Sequence, residues 1–409
     1  MGHLGLMLLT RRPVRSENRV PLPPVTTLLD ATDLVEFLQR RESVSGVQRV
    51  IAETVPLLLE REPAAQVVVL DRHRGVFIAL TEAEVATLIR SGARSGVGNP
   101  DRGQLAATAT GALVRAQTAT PVAVDTASLL VFLGAVWISD ALMLAARDAH
   151  AQGARCLYLL YDLTPVLETG HTAAVNRLFE RYLHLITQTG SAVPAISESS
   201  RRDYVQYVRA HGQEPPPGRV TGLPCGLTPE QHEPGDVPWP RPYALFVGTV
   251  EARKNHRLAL DAWRRLVASQ GADRVPDLVC IGRLGWHSDE FLNDYVATQG
   301  LGGKISLLTN SVSDADLARF YAHATFTVYP SRYEGWGLPV SESLAFGKVP
   351  VVAYNSSLPE AGGDLASYFE SGNVDDFVTV IERDGLDETN RRALEPVSYT
   401  HLTLPTILL

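Results

Sequence analysis

The chain has 409 residues, 45% of them hydrophobic and 20% charged, and a formal net charge of −8. That length exceeds one ordinary domain, so two are expected, and the apolar content argues against a disordered chain. The acidic balance argues against nucleic acid as a partner.

Cys156, Cys225 and Cys280 lie far apart with neither metal nor disulfide spacing, which fits a reducing cytoplasm. The apolar run 4–9 is followed, not preceded, by Arg11 and Arg12, so it does not read as a secretory signal. The longest later candidate, around 129–137, is too short to span a bilayer. A cytoplasmic location is expected, with peripheral contact at the inner membrane face left open.

In chain order, residues 1–24 read as an extension. Buried-type strands follow at 25–30, 67–71, 129–133, 156–160 and 193–196, with helices at 46–61, 139–152, 173–189 and 199–211. Residues 228–242, rich in Pro, Glu and Gly and without periodicity, read as a linker. The alternation then repeats, with strands at 243–247, 278–281, 305–307, 325–329 and 349–352. Helices are expected at 255–270, 290–298, 314–322 and 340–345.

Apolar runs separated by helices indicate parallel sheets covered on both faces. The fold class is therefore α/β, with two doubly wound Rossmann-like domains facing a cleft and ligands held at strand C-termini. The expected division is an extension at 1–24, domains at 25–235 and 236–396, and a tail at 397–409. Residues 397–406 read VSYTHLTLPT, the string obtained when a common transposase-end sequencing adapter is translated. The tail is therefore expected to be non-native and the carboxy-terminal end truncated.

The strongest constellation is the stretch 329–347, YPSRYEGWGLPVSESLAFG. A strand ends at Pro330, a glycine-punctuated loop follows, and a helix opens near Pro339, a residue suited to a first helical turn. Gly335 and Gly337 allow close backbone approach, and free N–H groups at a helix start can hold a diphosphate. Glu334 and Glu342 flank that loop and can accept hydrogen bonds from sugar or ribose hydroxyls. A second constellation, FVGTVEARKNH at 246–256, places Arg253 and Lys254 before a helix. Cations there oppose the helix dipole, so a helix start does not explain them; neutralising a departing diphosphate does.

These residues resemble the retaining glycosyltransferases of family 4, which have the GT-B fold. The matching residues are Gly248, Thr249, Arg253, Lys254 and Asn255, together with Glu334 and Glu342 with EGWGLP between them. The resemblance implies that Arg253 and Lys254 bind donor phosphates and that Glu342 binds the ribose. It implies that Glu334, with the amides of Gly335, Trp336, Gly337 and Leu338, holds the sugar and diphosphate. The loop 309–317 would then lie against the base.

Two looser matches fall in the amino-terminal half. The string SVSGVQR at 43–49 is similar to the family's glycine loop over the donor, although Gly46 has no second glycine beside it. An ordinary helix cap at Ser43 or Ser45 is the competing reading. Asp162, in YDLTP, would stand near the reacting centre or acceptor, with Tyr161 where relatives often carry histidine; His171 is a weak substitute. Asp30 with Asp33, and Asp375 with Asp376, lack the additional ligands a metal needs, so no metal and no cofactor are expected.

The resemblance thus implies an enzyme that moves a hexose, with mannose among the candidates, from a nucleoside-diphosphate sugar to a glycan or lipid-linked acceptor. Bacterial polysaccharide synthesis is the implied setting. A non-catalytic sugar-nucleotide or glycan-binding protein and a nucleotide-sugar epimerase of the same fold are the alternatives. A pyridoxal-phosphate phosphorylase is disfavoured because Lys254, Lys304 and Lys348 are the only lysines.

Overall fold

Two six-stranded sheets carry the chain. The computed structural model describes residues 25–40, 46–91, 102–168, 172–223, 225–229, 235–310 and 312–399. The first sheet holds β1 (Thr26–Asp30), β2 (Gln66–Asp71), β3 (Val76–Ala79), β4 (Ser128–Phe132), β5 (Arg155–Tyr158) and β6 (Gly190–Ala192), in the order β3-β2-β1-β4-β5-β6. All its pairings are parallel except the β2–β3 hairpin. The second holds β7 (Tyr243–Val247), β8 (Asp277–Ile281), β9 (Ile305–Leu308), β10 (Phe326–Tyr329), β11 (Pro350–Ala353) and β12 (Ser367–Phe369). Its order is β12-β11-β10-β7-β8-β9, all parallel.

The central strands are near-continuous apolar runs because helices cover both faces. Leu28, Leu130 and Phe132 are buried on one face of the first sheet, and Leu29, Val67 and Val69 on the other. In the second, Phe246 and Phe326 pack with Trp263 of the helix His256–Gln270, whose indole N–H donates to Pro276 O at 2.9 Å. In each sheet the order reverses beside the first strand, at β1–β4 and at β7–β10, and ligands bind at such switch points in open α/β sheets.

Several elements depart from the sequence expectation. The strand expected at 193–196 is shifted to Gly190–Ala192, because Pro194 has no N–H to give a ladder; Ala195 keeps isolated bridges to Leu160 and Val220. The short strands β3 and β12 and the helices Thr32–Arg40 and Arg102–Ala116 were not expected. The helix Glu388–Tyr399 runs through the expected boundary at 397. The extension 1–24 and residues 400–409 lie outside the described residues. Among the described residues, no helix is long and apolar enough to cross a membrane.

Candidate active site

The site is assembled where β7 and β10 end. After β7 the chain passes through Gly248 and the exposed Thr249 into a short 3-10 turn, Ala252–Lys254. A Cβ on Gly282, in the neighbouring loop, would stand 2.0 Å from Gly248 O, so the two loops touch backbone to backbone. Asn255 takes a left-handed conformation (φ 61°) and turns the chain into the helix His256–Gln270. Asparagine tolerates that region better than most residues. The turn leaves Arg253 and Lys254 pointing back across the strand ends.

After β10, the loop 330–337 is pinned from outside. The Ser356 hydroxyl accepts from Glu334 N at 2.9 Å, and the Ser357 hydroxyl donates to Glu334 O at 2.7 Å and Trp336 O at 2.9 Å. Gly337 has φ 111° and caps the helix Leu338–Ala345, with Pro339 in its first turn. A Cβ on Gly337 would meet Leu358 Cδ2 at 2.9 Å, so both conformation and space require glycine. Trp336 packs against the cores of both halves, and its indole N–H is buried without a partner.

Arg253 Nη1 donates to Glu334 Oε2 at 2.7 Å, and Lys254 Nζ donates to Glu334 Oε1 at 2.6 Å. The same Arg253 nitrogen donates to Tyr333 O at 2.7 Å, and Nη2 donates to Glu251 Oε1 at 2.7 Å. Burial pushes the Glu334 carboxyl up; Arg253 and then Lys254 outweigh it and hold it down at about 2. Glu334 and Glu251 in turn raise the Arg253 guanidinium despite its burial. The result is a buried, ionised carboxylate clasped by two fixed, part-buried cations.

Glu342 lies on the buried face of the helix Leu338–Ala345. Its Oε2 accepts from the Tyr321 hydroxyl at 2.8 Å, and its Oε1 faces Arg49 Nη1 at 3.9 Å. Burial pushes its carboxyl above the ordinary value, against the opposing pull of Arg49 and Tyr321. Arg49 also pairs with Asp314, in the first turn of the helix Asp314–His323 at the end of the loop 309–317.

The first sheet contributes from its own strand ends. A Cβ on Gly335 would stand 2.9 Å from both Asp162 Oδ2 and Tyr161 O, so Asp162 abuts the glycine loop. Asp162 Oδ1 accepts from Thr164 N at 2.9 Å, and the Tyr161 hydroxyl donates to Leu133 O at 2.6 Å. Gly46 opens the helix Gly46–Arg61 beside Leu338, with a Cβ there 4.0 Å from Leu338 Cδ1, so two helix N-termini face each other. Ser43, Ser45 and His171 lie outside the described residues.

Arg253, Lys254, Glu334, Gly335, Trp336, Gly337, Leu338, Gly46 and Asp162 thus come together where strand ends of the two sheets meet, with Glu342 one turn into the adjoining helix. Asp30 ends β1 and Asp33 lies just beyond it, both held by local partners: Asp30 accepts from Thr32 N at 3.2 Å, and Asp33 accepts from Gln48 Nε2 at 2.9 Å and Ala135 N at 3.0 Å. Among the described residues, no group of three or more His, Cys, Asp or Glu is placed to hold a metal. Arg49, Asp314 and Tyr321 join these residues without having been singled out by the sequence, although Arg49 stands within the string 43–49 and Asp314 within the loop 309–317. A cavity of about 600 Å³, lined by Arg241, Arg274, Lys304 and Arg391, lies at the opposite, N-terminal ends of the second sheet's strands, away from this cluster.

Residues 228–396 match the family described as glycosyl transferases group 1. Over 211 residues the chain is 34% identical to the O-antigen chain mannosyltransferase B of Escherichia coli, covering 49% of this chain and 52% of that one. It is 24% identical over 253 residues to the serotype-specific mannosyltransferase WbdA of Escherichia coli, covering 59% of this chain and 30% of that one. The chain therefore spans about half the length, or less, of these curated relatives.

Two solved structures align with 92% of this chain and 93% of their own: the sucrose-phosphate synthase of Thermosynechococcus elongatus, with TM-score 0.59 and 14% identity, and Anabaena HepE in complex with UDP, with 0.53 and 13%. At such identities they establish the fold, which is GT-B: two parallel-sheet α/β domains.

Proposed function

We propose that this protein is a retaining glycosyltransferase that moves a hexose from a nucleoside-diphosphate donor to a hydroxyl of a glycan or lipid-linked acceptor. The observation that carries the reading is the buried Glu334 carboxylate held between Arg253 and Lys254 at the mouth of the loop 334–338. Mannose is the sugar favoured by the mannosyltransferases among its relatives, and polysaccharide synthesis is the setting they suggest.

The roles follow from the chemistry. The departing diphosphate gains charge as the bond from its oxygen to the anomeric carbon breaks. Arg253, Lys254 and the free N–H groups before Leu338–Ala345 are fixed donors aimed at that charge. No metal or cofactor is invoked for this task; the sugar nucleotide is a co-substrate. The ionised Glu334 accepts from sugar hydroxyls, and Glu342 accepts from the ribose. The acceptor oxygen bonds to the anomeric carbon on the face the phosphate leaves, and its proton passes to the leaving phosphate oxygen. Asp162, against Gly335, orients the acceptor side.

Transfer assays on the full chain, with GDP-mannose and UDP-glucose and a panel of mannosyl acceptors, test this. Lys254→Ala and Glu342→Ala are each expected to lower kcat/KM by about 100-fold or more, as loss of a charge-stabilising or binding group does. Product NMR should show the donor's anomeric configuration. Normal turnover in both variants would overturn the assignment.

A further inference from the structure

Arg49 belongs to the amino-terminal half but ends among groups of the other. It leaves the first turn of the helix Gly46–Arg61, and Nη2 reaches Asp314 at 2.9 and 3.1 Å. Nη1 reaches Gly226 O, in the connection between the sheets, at 3.4 Å. The same nitrogen faces Glu342 Oε1 at 3.9 Å. Gly226 lies in the angle between them: a Cβ there would stand 3.1 Å from Glu342 Oε1 and 3.3 Å from Arg49 Nη1. One guanidinium of the first domain therefore touches both the connection and the second domain. Its side chain is only 13% exposed and that of Glu342 6%.

The 3.9 Å separation is too long for a direct hydrogen bond. It suits a hydroxyl that accepts from a guanidinium N–H and donates to a carboxylate, since a hydroxyl does both and neither charged group can. Glu342 Oε2 is already taken by Tyr321, which fixes the carboxylate and leaves Oε1 turned to Arg49. Asp314 does the same for the guanidinium, holding Nη2 and leaving Nη1 toward the gap. Arginine suits such a position because its planar fork binds one anion along one edge while presenting another N–H elsewhere.

We infer that Arg49 is a donor-binding residue supplied by the opposite domain: it donates to a ribose hydroxyl of the nucleotide while Glu342 Oε1 accepts from that hydroxyl. This rests on the donor-site reading above. It makes ribose recognition depend on both domains at once, so the nucleotide's affinity is coupled to their apposition. A donor lacking ribose hydroxyls would contact each domain without bridging them.

Calorimetric titration of the full chain with GDP, UDP and their 2′,3′-dideoxy forms tests this. Wild type should prefer the ribo form of the nucleotide it binds by tenfold or more, and Arg49→Met should reduce that preference at least threefold, the Glu342 contact remaining. Arg49→Lys keeps a cation for Asp314 but loses the fork; it should retain the fold and lose at least threefold of the preference. A loss of affinity from a general packing defect would weaken ribo and dideoxy forms equally, so it is the ratio that decides. Full preference retained in either folded variant overturns the role of Arg49 while leaving the donor site intact. Failure of wild type to bind either nucleotide overturns the donor site and this inference together.

Discussion

Lys254 Nζ and Glu334 Oε1 lie 2.6 Å apart although 80 residues separate them in the chain. The contact joins the turn after β7 to the loop after β10, so it forms only when the second sheet brings these strands side by side. Arg253 takes the other carboxylate oxygen at 2.7 Å. On the proposed reading, a diphosphate entering beside them would meet cations already fixed, with little reorganisation required at the moment of reaction.

The Glu334 cluster sets a pH signature. Its carboxyl is held at about 2 in the folded protein against a reference of 4.5. A depressed acid contributes stability that is full above the unfolded value and is lost as pH falls through the folded one. Glu334→Gln is therefore expected to unfold more easily at pH 7, by about 3 kcal/mol, because the part-buried Lys254 also loses its carboxylate partner and Arg253 one of its two. The deficit should shrink between pH 4.5 and 2. Denaturant unfolding across that range checks it; a constant deficit would show that the ion cluster is not its source.

Gly335 faces the other domain. A Cβ there would stand 2.9 Å from Tyr161 O, a backbone atom, and from Asp162 Oδ2. Gly335→Ala should leave the circular dichroism of the fold unchanged while lowering transfer about tenfold or more, since small misplacements at the reacting centre are costly. Wild-type activity in this variant would mean that the two strand ends need not approach so closely during turnover.

Glu53 gives the opposite sign. Burial raises its carboxyl to about 7, with Glu342 and Asp314 adding to the rise and Arg49 opposing it. A raised acid favours the folded state at low pH, and that advantage fades as pH climbs through the folded value. Glu53→Gln is expected to be more stable than wild type at pH 8 by on the order of 2 kcal/mol, allowing for its partial exposure, and no more stable at pH 4. Melting curves at the two pH values decide it; equal gains at both would locate the effect in packing instead.

Much of this was readable in the sequence. The apolar runs of β1, β2, β4 and β7 to β11, and the long helices between them, announce two parallel sheets because burial on both faces leaves little polar punctuation. The glycine loop was legible because Gly335 and Gly337 stand where neighbouring atoms leave no room for a side chain and Pro339 falls in the first turn of a helix. Short edge strands such as β12, three residues long, carry too little pattern to be seen. The helix Thr32–Arg40 was hidden because Asp30 to Asp33 reads as a polar strand end; the buried Asp33 is in fact inside the helix, accepting from Gln48 and Ala135 N. Arg49 could not be assigned from spacing, because its partner Asp314 is 265 residues away and meets it only across two domains.

The most direct test of the central claim is a crystal structure of the full chain with GDP-mannose or UDP-glucose bound. The account predicts the diphosphate beside Arg253 and Lys254, over the amides of Gly335 to Leu338, with the hexose against Glu334. A diphosphate held instead in the cavity of Arg241, Arg274, Lys304 and Arg391, at the N-terminal ends of the same sheet's strands, would contradict it.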